Sequence, residues 1–161
     1  MDAPHGRDLR KGRYSESGQI YLLTTVTYRR RPVFAEPACA RCVIRAMRRE
    51  SLAGNAQTIA FVVMPDHLHW LVQLERGSLA ALMARMKSGS ALLVARTLYA
   101  DGAPCRVWQR GFHDHAMRDE ESLVAAARYI VANPLRAGLC TKVGDYPHWD
   151  AAWLHSLDHL P

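Results

Sequence analysis

Cysteine is scarce in this chain: four residues, Cys39, Cys42, Cys105 and Cys140, are spread over 161 positions. That is too few and too scattered for the disulfide framework of a small secreted domain. Cys39 and Cys42 do form a C-x-x-C within PACARCVIRAMRRE, but the segment has an amphipathic helical pattern and no second C-x-x-C accompanies it, so zinc is not expected there. No apolar run reaches the length of a membrane span, and nothing resembles a signal peptide. Cytoplasm, with no membrane attachment, is the simple expectation. Repeats and inter-domain linkers are missing as well. The expectation is one domain over residues 1–161, with an N-terminal extension to about residue 18 and a C-terminal tail from about residue 146.

Lysine is the other scarcity. Of 21 basic residues only Lys11, Lys87 and Lys142 are lysine, which leaves 18 arginines against 15 acidic residues and a net charge of +6. Arginine suits two-pronged contacts to phosphate, and its clusters at Arg29, Arg30 and Arg31 and along Arg41, Arg45, Arg48 and Arg49 fit an anionic partner. A solvated arginine-rich surface explains the same composition, so charge alone does not decide.

What is present is an alternation of periodicities. Residues 19–28 (QIYLLTTVTY) are β-branched and aromatic and read as a strand; residues 36–51 read as a helix with Ala38, Cys42, Ala46 and Met47 near one face. QTIAFVVMP is a strand ended by Pro65, and HLHWLVQL is a second strand after a tight turn, so the two form an antiparallel hairpin. Ser78 caps a helix to about Tyr99, weakened at Gly89. RVWQRGFHDHAMR is strand-like around Gly111. Asp119 then caps a helix whose first turn holds Glu120 and Glu121 and which Pro134 should stop at Asn133. The order β-α-β-β-α-β-α is that of an α+β, ferredoxin-like split β-α-β: an antiparallel sheet with flanking helices and one added C-terminal helix.

The stretch VVMPDHLHWLV puts two imidazoles one residue apart on a strand. Alternate strand residues share a face, so His67 and His69 project together while Leu68, Trp70, Val72 and Leu74 turn toward a core. Such a pair can chelate one metal ion; it can equally be two solvent-facing histidines on a half-exposed sheet. Asp66 either orients His67 or is an ordinary turn residue after Pro65.

In the last helix, DEESLVAAARYIVANPLRAGL, the residues Leu123, Ala126, Ala127 and Ile130 make an apolar stripe, with Tyr129 at its border and Asn133 one turn further on. Taken singly, Tyr129 reads as a boundary aromatic and Asn133 as a C-cap. Taken with a histidine-bound ion, they suggest chemistry: a tyrosine oxygen attacks phosphorus, expels a sugar hydroxyl and conserves the energy of the broken backbone bond in a phosphotyrosine. Asn133 would complete the ion's shell with His67 and His69, and Mg²⁺ or Mn²⁺ suits such an oxygen-and-imidazole set.

The segments FVVMPDHLHWLV and FHDHAMRDEESLVAAARYIVANPLRAGL strongly resemble the single-tyrosine HUH transposases, in particular the REP-associated tyrosine transposases related to the IS200/IS605 group; the likeness runs from about Tyr21 to Trp153. By that resemblance His67, Leu68 and His69 are the histidine-hydrophobe-histidine signature, Tyr129 is the nucleophile and Asn133 joins the metal site. The resemblance implies an HUH endonuclease fold and metal-dependent cutting and rejoining of single-stranded DNA near REP-like palindromic hairpins, with the enzyme joined to the 5′ phosphate. The resemblance implies a homodimer, as in the broader insertion-sequence group, or a monomer, as REP-associated members can be. Arg29, Arg30, Arg31, Arg85, Lys87 and Arg136 are the candidate DNA contacts.

Two alternatives stay open at this level. The fold can serve as a hairpin-binding module without catalysis, or a water-using metal hydrolase can employ His67, His69, His113 and His115, the last two being a second H-x-H in FHDHAM. For His113 and His115, packing or DNA contact is the simpler expectation. Trp70 is expected in the core and Trp108 either there or under a base. A tail holding His148, Trp149, Trp153, His155 and His159 reads as a packed extension, or as a cover for the site.

Overall fold

The computed structural model describes residues 15–152. Five strands, β1 (Ile20–Val26), β2 (Ala56–Met64), β3 (His67–Leu74), β4 (His113–Ala116) and β5 (Trp149–Ala151), form one antiparallel sheet in the order β4-β1-β3-β2-β5. The helices are α1 (Pro37–Leu52), α2 (Leu79–Leu98) and α3 (Glu120–Arg136). Consecutive strands β2 and β3 are joined through Pro65 and Asp66, with Met64 opposite His67, so this hairpin is as tight as its sequence suggests. The connections through α1 and α2 each skip a strand, which is the expected split β-α-β. The C-terminal segment adds a fifth strand on the β2 edge.

Strand alternation divides the core in two. Tyr21, Leu23, Phe61, Val63, Leu68, Trp70, Val72 and Leu74 face α1 and α2, while Ala60, Val62, Met64 and Leu71 pack with Ala127 and Ile130 under α3. Trp70 is fully buried and its indole donates to Thr58 Oγ1 at 3.0 Å. Trp70→Phe should therefore cost roughly 1–3 kcal/mol, from lost volume and a hydroxyl without its donor. A denaturant midpoint unchanged in that variant would refute this account.

Local signals explain the helix starts. The Ser78 hydroxyl accepts from Ala81 N at 3.1 Å and the Asp119 carboxylate from Ser122 N at 2.7 Å. The end of α3 is a correction: the helix does not stop at Asn133 but passes through Pro134 to Arg136. Gly138, at φ 72°, closes it, with Gly138 N donating to Leu135 O and Leu139 N to Pro134 O, each 3.0 Å. This is a Schellman ending, and its glycine outweighs a proline that forfeits one hydrogen bond. The added turn carries Arg136 back toward Tyr129. Two strand expectations also shrink. β1 ends at Val26, Thr27 bridges Trp108 as an isolated pair, and the strand near Gly111 is only the four residues of β4.

Candidate active site

β3 is the middle strand of five, so the backbone of His67 and His69 is fixed from both sides by β1 and β2. The two rings sit 4.9 Å apart between centroids. Each uses its Nδ1 locally: His67 Nδ1 lies 2.7 Å from Asp66 Oδ1, and His69 Nδ1 lies 2.8 Å from Thr24 Oγ1. That fixes both ring orientations: His67 Nδ1 donates to the carboxylate and keeps its lone pair on Nε2, and His69 does the same in the tautomer whose Nδ1–H donates to Thr24. Asp66 is therefore the orienting acceptor of His67 as well as a turn residue. Burial, with His67 and then Arg136 adding positive charge nearby, lowers the His69 imidazolium to about 4. The ring is neutral, and able to act as a ligand, at neutral pH.

Helix α3 lays Tyr129 against His69. The apolar stripe of Ala127 and Ile130 is buried against the sheet, which leaves Tyr129 at the border, 47% exposed, with its ring 5.6 Å from that of His69. Asn133, one turn later, is buried. Arg136 crosses back over the same helix: its guanidinium lies 4.1 Å from the Tyr129 ring centroid and its Nη2 donates to Tyr129 O at 2.7 Å. Thus a phenol, two imidazoles and a guanidinium stand together. The expected ion-holding set is His67, His69 and Asn133, of which the two histidine rings stand side by side. Its nitrogen and oxygen donors fit Mg²⁺ or Mn²⁺ better than a soft metal.

The remaining candidates separate by face. Arg85 is on α2, on the far side of the sheet, where its Nε and Nη2 each lie 3.0 Å from Glu50 Oε2, a carboxylate also held by Asn55. Lys87 donates to Gln109 O at 2.7 Å and Gly111 O at 2.6 Å. Both expected DNA contacts thus tie α2 to its neighbours and stand away from the histidines. Arg29, Arg30 and Arg31 are exposed just beyond β1, and Arg30 reaches Asp66 at 3.6 Å. Trp108 is core, donating to Ser90 Oγ at 2.9 Å and packing on Phe34.

His113 and His115 are exposed on β4, with β1 between them and β3. Among the described residues no three His, Cys, Asp or Glu side chains gather as a metal site, so the four-histidine hydrolase set is not assembled. His148 is buried, its ring against Tyr146, and its carbonyl accepts from Val63 N; Trp149 belongs to β5. This part of the tail packs along the β2 edge. Trp153, His155 and His159 lie outside the described residues. Cys39 and Cys42 are buried in α1, with the Cys39 thiol pushed up to about 11 chiefly by burial. Among the described residues no helix is long and apolar enough to cross a membrane.

Residues 15–133, which include both histidines, Tyr129 and Asn133, match the family described as "Transposase IS200 like". The chain belongs to the IS200-like transposases. The proteins it is similar to include REP-associated tyrosine transposases. It is 29% identical over 103 residues to a Haemophilus influenzae protein named as a REP-associated tyrosine transposase, covering 57% of each chain. A second H. influenzae protein, of no named function, is 26% identical over 98 residues, 47% of this chain and 52% of that one. The chain thus spans little more than half the length of these relatives. Its fold is that of a REP-associated tyrosine transposase solved bound to a REP hairpin, with a TM-score of 0.72 over 92% of this chain and 86% of that one at 20% identity. A transposase structure from Deinococcus radiodurans aligns with a TM-score of 0.52 at 18% identity, over 81% and 95% of the two chains.

Sequence reasoning missed Thr24. Its partnership with His69 follows from the β1–β3 register, in which the two residues are directly opposed, and no local motif encodes that register.

Proposed function

We propose that this IS200-like transposase cuts and rejoins single-stranded DNA at palindromic, REP-like hairpins, through a covalent bond between Tyr129 and a 5′ phosphate. The observation that supports this reading is the half-exposed Tyr129 ring 5.6 Å from His69, itself neutral and paired with His67. A divalent ion, Mg²⁺ or Mn²⁺, held by His67, His69 and Asn133, would polarise a phosphoryl oxygen and offset its developing charge. The Tyr129 oxygen forms the new P–O bond and gives up its proton. The P–O3′ bond breaks, and the departing oxygen takes up a proton as a free 3′ hydroxyl. Arg136, beside the phenol, adds positive charge next to the phosphate. Attack by a 3′ hydroxyl on the phosphotyrosine reverses the step and rejoins strands. The REP hairpin in the related complex supports a hairpin substrate.

The test is to incubate the protein with labelled single-stranded DNA carrying a palindromic hairpin from beside its own gene, with Mg²⁺ or Mn²⁺, and run the products on a denaturing gel. A protease-sensitive, slow-moving labelled band is expected. Hairpin binding with no such band would leave a binding module in its place.

The partners of the two imidazoles give a further expectation. Asp66→Ala and Thr24→Val, which release the Nδ1 atoms, should each lower the affinity for Mn²⁺ by about 10–100-fold. Titrating the adduct yield against Mn²⁺ measures this, and an unchanged midpoint in both variants would show that the ring orientations do not depend on them.

A further inference from the structure

Just past β1 the chain turns through Tyr28, Arg29, Arg30 and Arg31. Arg29 and Arg30 both sit at φ 54°, a left-handed backbone that residues with side chains rarely adopt, and here two do so in succession. The turn is nonetheless tightly determined. Thr27 N donates to Asp66 O at 2.9 Å, Tyr28 N to Val107 O at 2.8 Å, and the Thr27 hydroxyl to Arg31 O at 2.7 Å. An uncommon conformation fixed by so many bonds places side chains deliberately.

Those side chains are guanidiniums around one ring. The Arg106, Arg29 and Arg31 carbons lie 4.0, 5.1 and 5.5 Å from the Tyr28 centroid, and Arg31 Nη2 also donates to Arg106 O at 2.9 Å. Arg30 reaches instead to Asp66, the carboxylate that orients His67. Four exposed positive charges, three on this turn and Arg106 beside it, thus stand one carboxylate away from the histidine pair. Like charges repel when crowded. Attraction to the ring face offsets part of that, and a polyanion would offset the rest.

We propose that Tyr28, Arg29, Arg31 and Arg106 form a seat for consecutive backbone phosphates of single-stranded DNA running past His67. This rests on the reading of the site given above. Tyr28 is the scaffold of the seat rather than a stacking surface for bases, because guanidiniums already occupy its ring. The guanidinium forks are exposed, which suits a chain of phosphates passing over them rather than one enclosed anion.

Binding is measured with Tyr129→Phe protein, so that no covalent capture intervenes, using a fluorescent hairpin with a single-stranded flank over a series of salt concentrations. Each phosphate contact on a single strand contributes roughly 0.7 to the slope of log affinity against log salt, so losing two contacts lowers that slope by about 1.4. Arg29→Gln with Arg106→Gln should produce this, with about tenfold or greater weakening at ~0.1 M salt. Tyr28→Ala, which removes the ring beneath the guanidiniums, should also weaken binding. Arg45→Gln with Arg48→Gln, the same charge change on α1, should leave the slope in place. An unchanged slope in the Arg29/Arg106 double variant, or an equal change in the α1 pair, overturns the seat. So does failure of the parent protein to bind the flanked hairpin. If the slope falls as expected while protein with Tyr129 intact forms no adduct, the seat stands and the transesterase reading falls; an adduct with no slope change means the reverse.

Discussion

Phenylalanine at position 129 will leave the hairpin bound and the covalent band absent. The substitution removes one oxygen and keeps the ring, so the edge contact to His69 and the Arg136 guanidinium over the face persist. With the side chain 47% exposed, folding stability should shift by no more than about 0.5 kcal/mol. Strand cleavage should fall on the order of 10⁴-fold or more, the scale on which removing a nucleophile from a preorganised site acts. A denaturing gel measures adduct and cleaved strand in one lane. Cleavage that persists in Tyr129→Phe without an adduct would show that water is the nucleophile, and the role given to Tyr129 would be wrong.

The setting of Tyr129 depends on helix α3 being longer than its sequence suggested. Had Pro134 ended the helix, Arg136 would belong to a loop with no fixed relation to the phenol. Because the Gly138 ending carries the helix to Arg136, its side chain can fold back two turns, bond Tyr129 O and cover the ring. The phenol and the adjacent positive charge are then held by one rigid element, with Asn133 between them in sequence. Such a helix can be shifted or tilted as a unit without separating the phenol from its guanidinium.

Which features were readable follows from the range of the interactions that create them. The pairing of His67 with His69, and of Leu68 with Trp70 on the opposite face, follows from strand alternation within three or four residues. The caps at Ser78 and Asp119 are equally local. The internal bonds of Arg85 and Lys87 were not readable, because they depend on Glu50, 35 residues from Arg85, and on the Gln109 and Gly111 carbonyls, which only the tertiary fold delivers. Thr24 was invisible for the same reason, lying 45 residues from His69. The Pro134 error had a local remedy. Gly138 follows it by four residues, and a glycine in that place is the stronger stop signal.

Alanine at position 69 should be the more damaging of the two histidine substitutions. His69 is 9% exposed on the central strand, under Tyr129, whereas His67 stands at the strand's start with its side chain 19% exposed. His69→Ala removes one of two imidazole donors, leaves the Thr24 hydroxyl without its ring partner and takes away the contact that seats the phenol. On the proposed mechanism, losing the polarisation that an ion at this site would supply costs several kcal/mol, so the rate of adduct formation should drop by about 10³-fold or more. Raising Mn²⁺ should restore little of it, because the phenol has lost its ring contact too. His67→Ala keeps that contact, so high Mn²⁺ should recover a larger share. Equal recovery in the two variants would mean that His69 acts only as a ligand and that its packing against Tyr129 does not position the nucleophile.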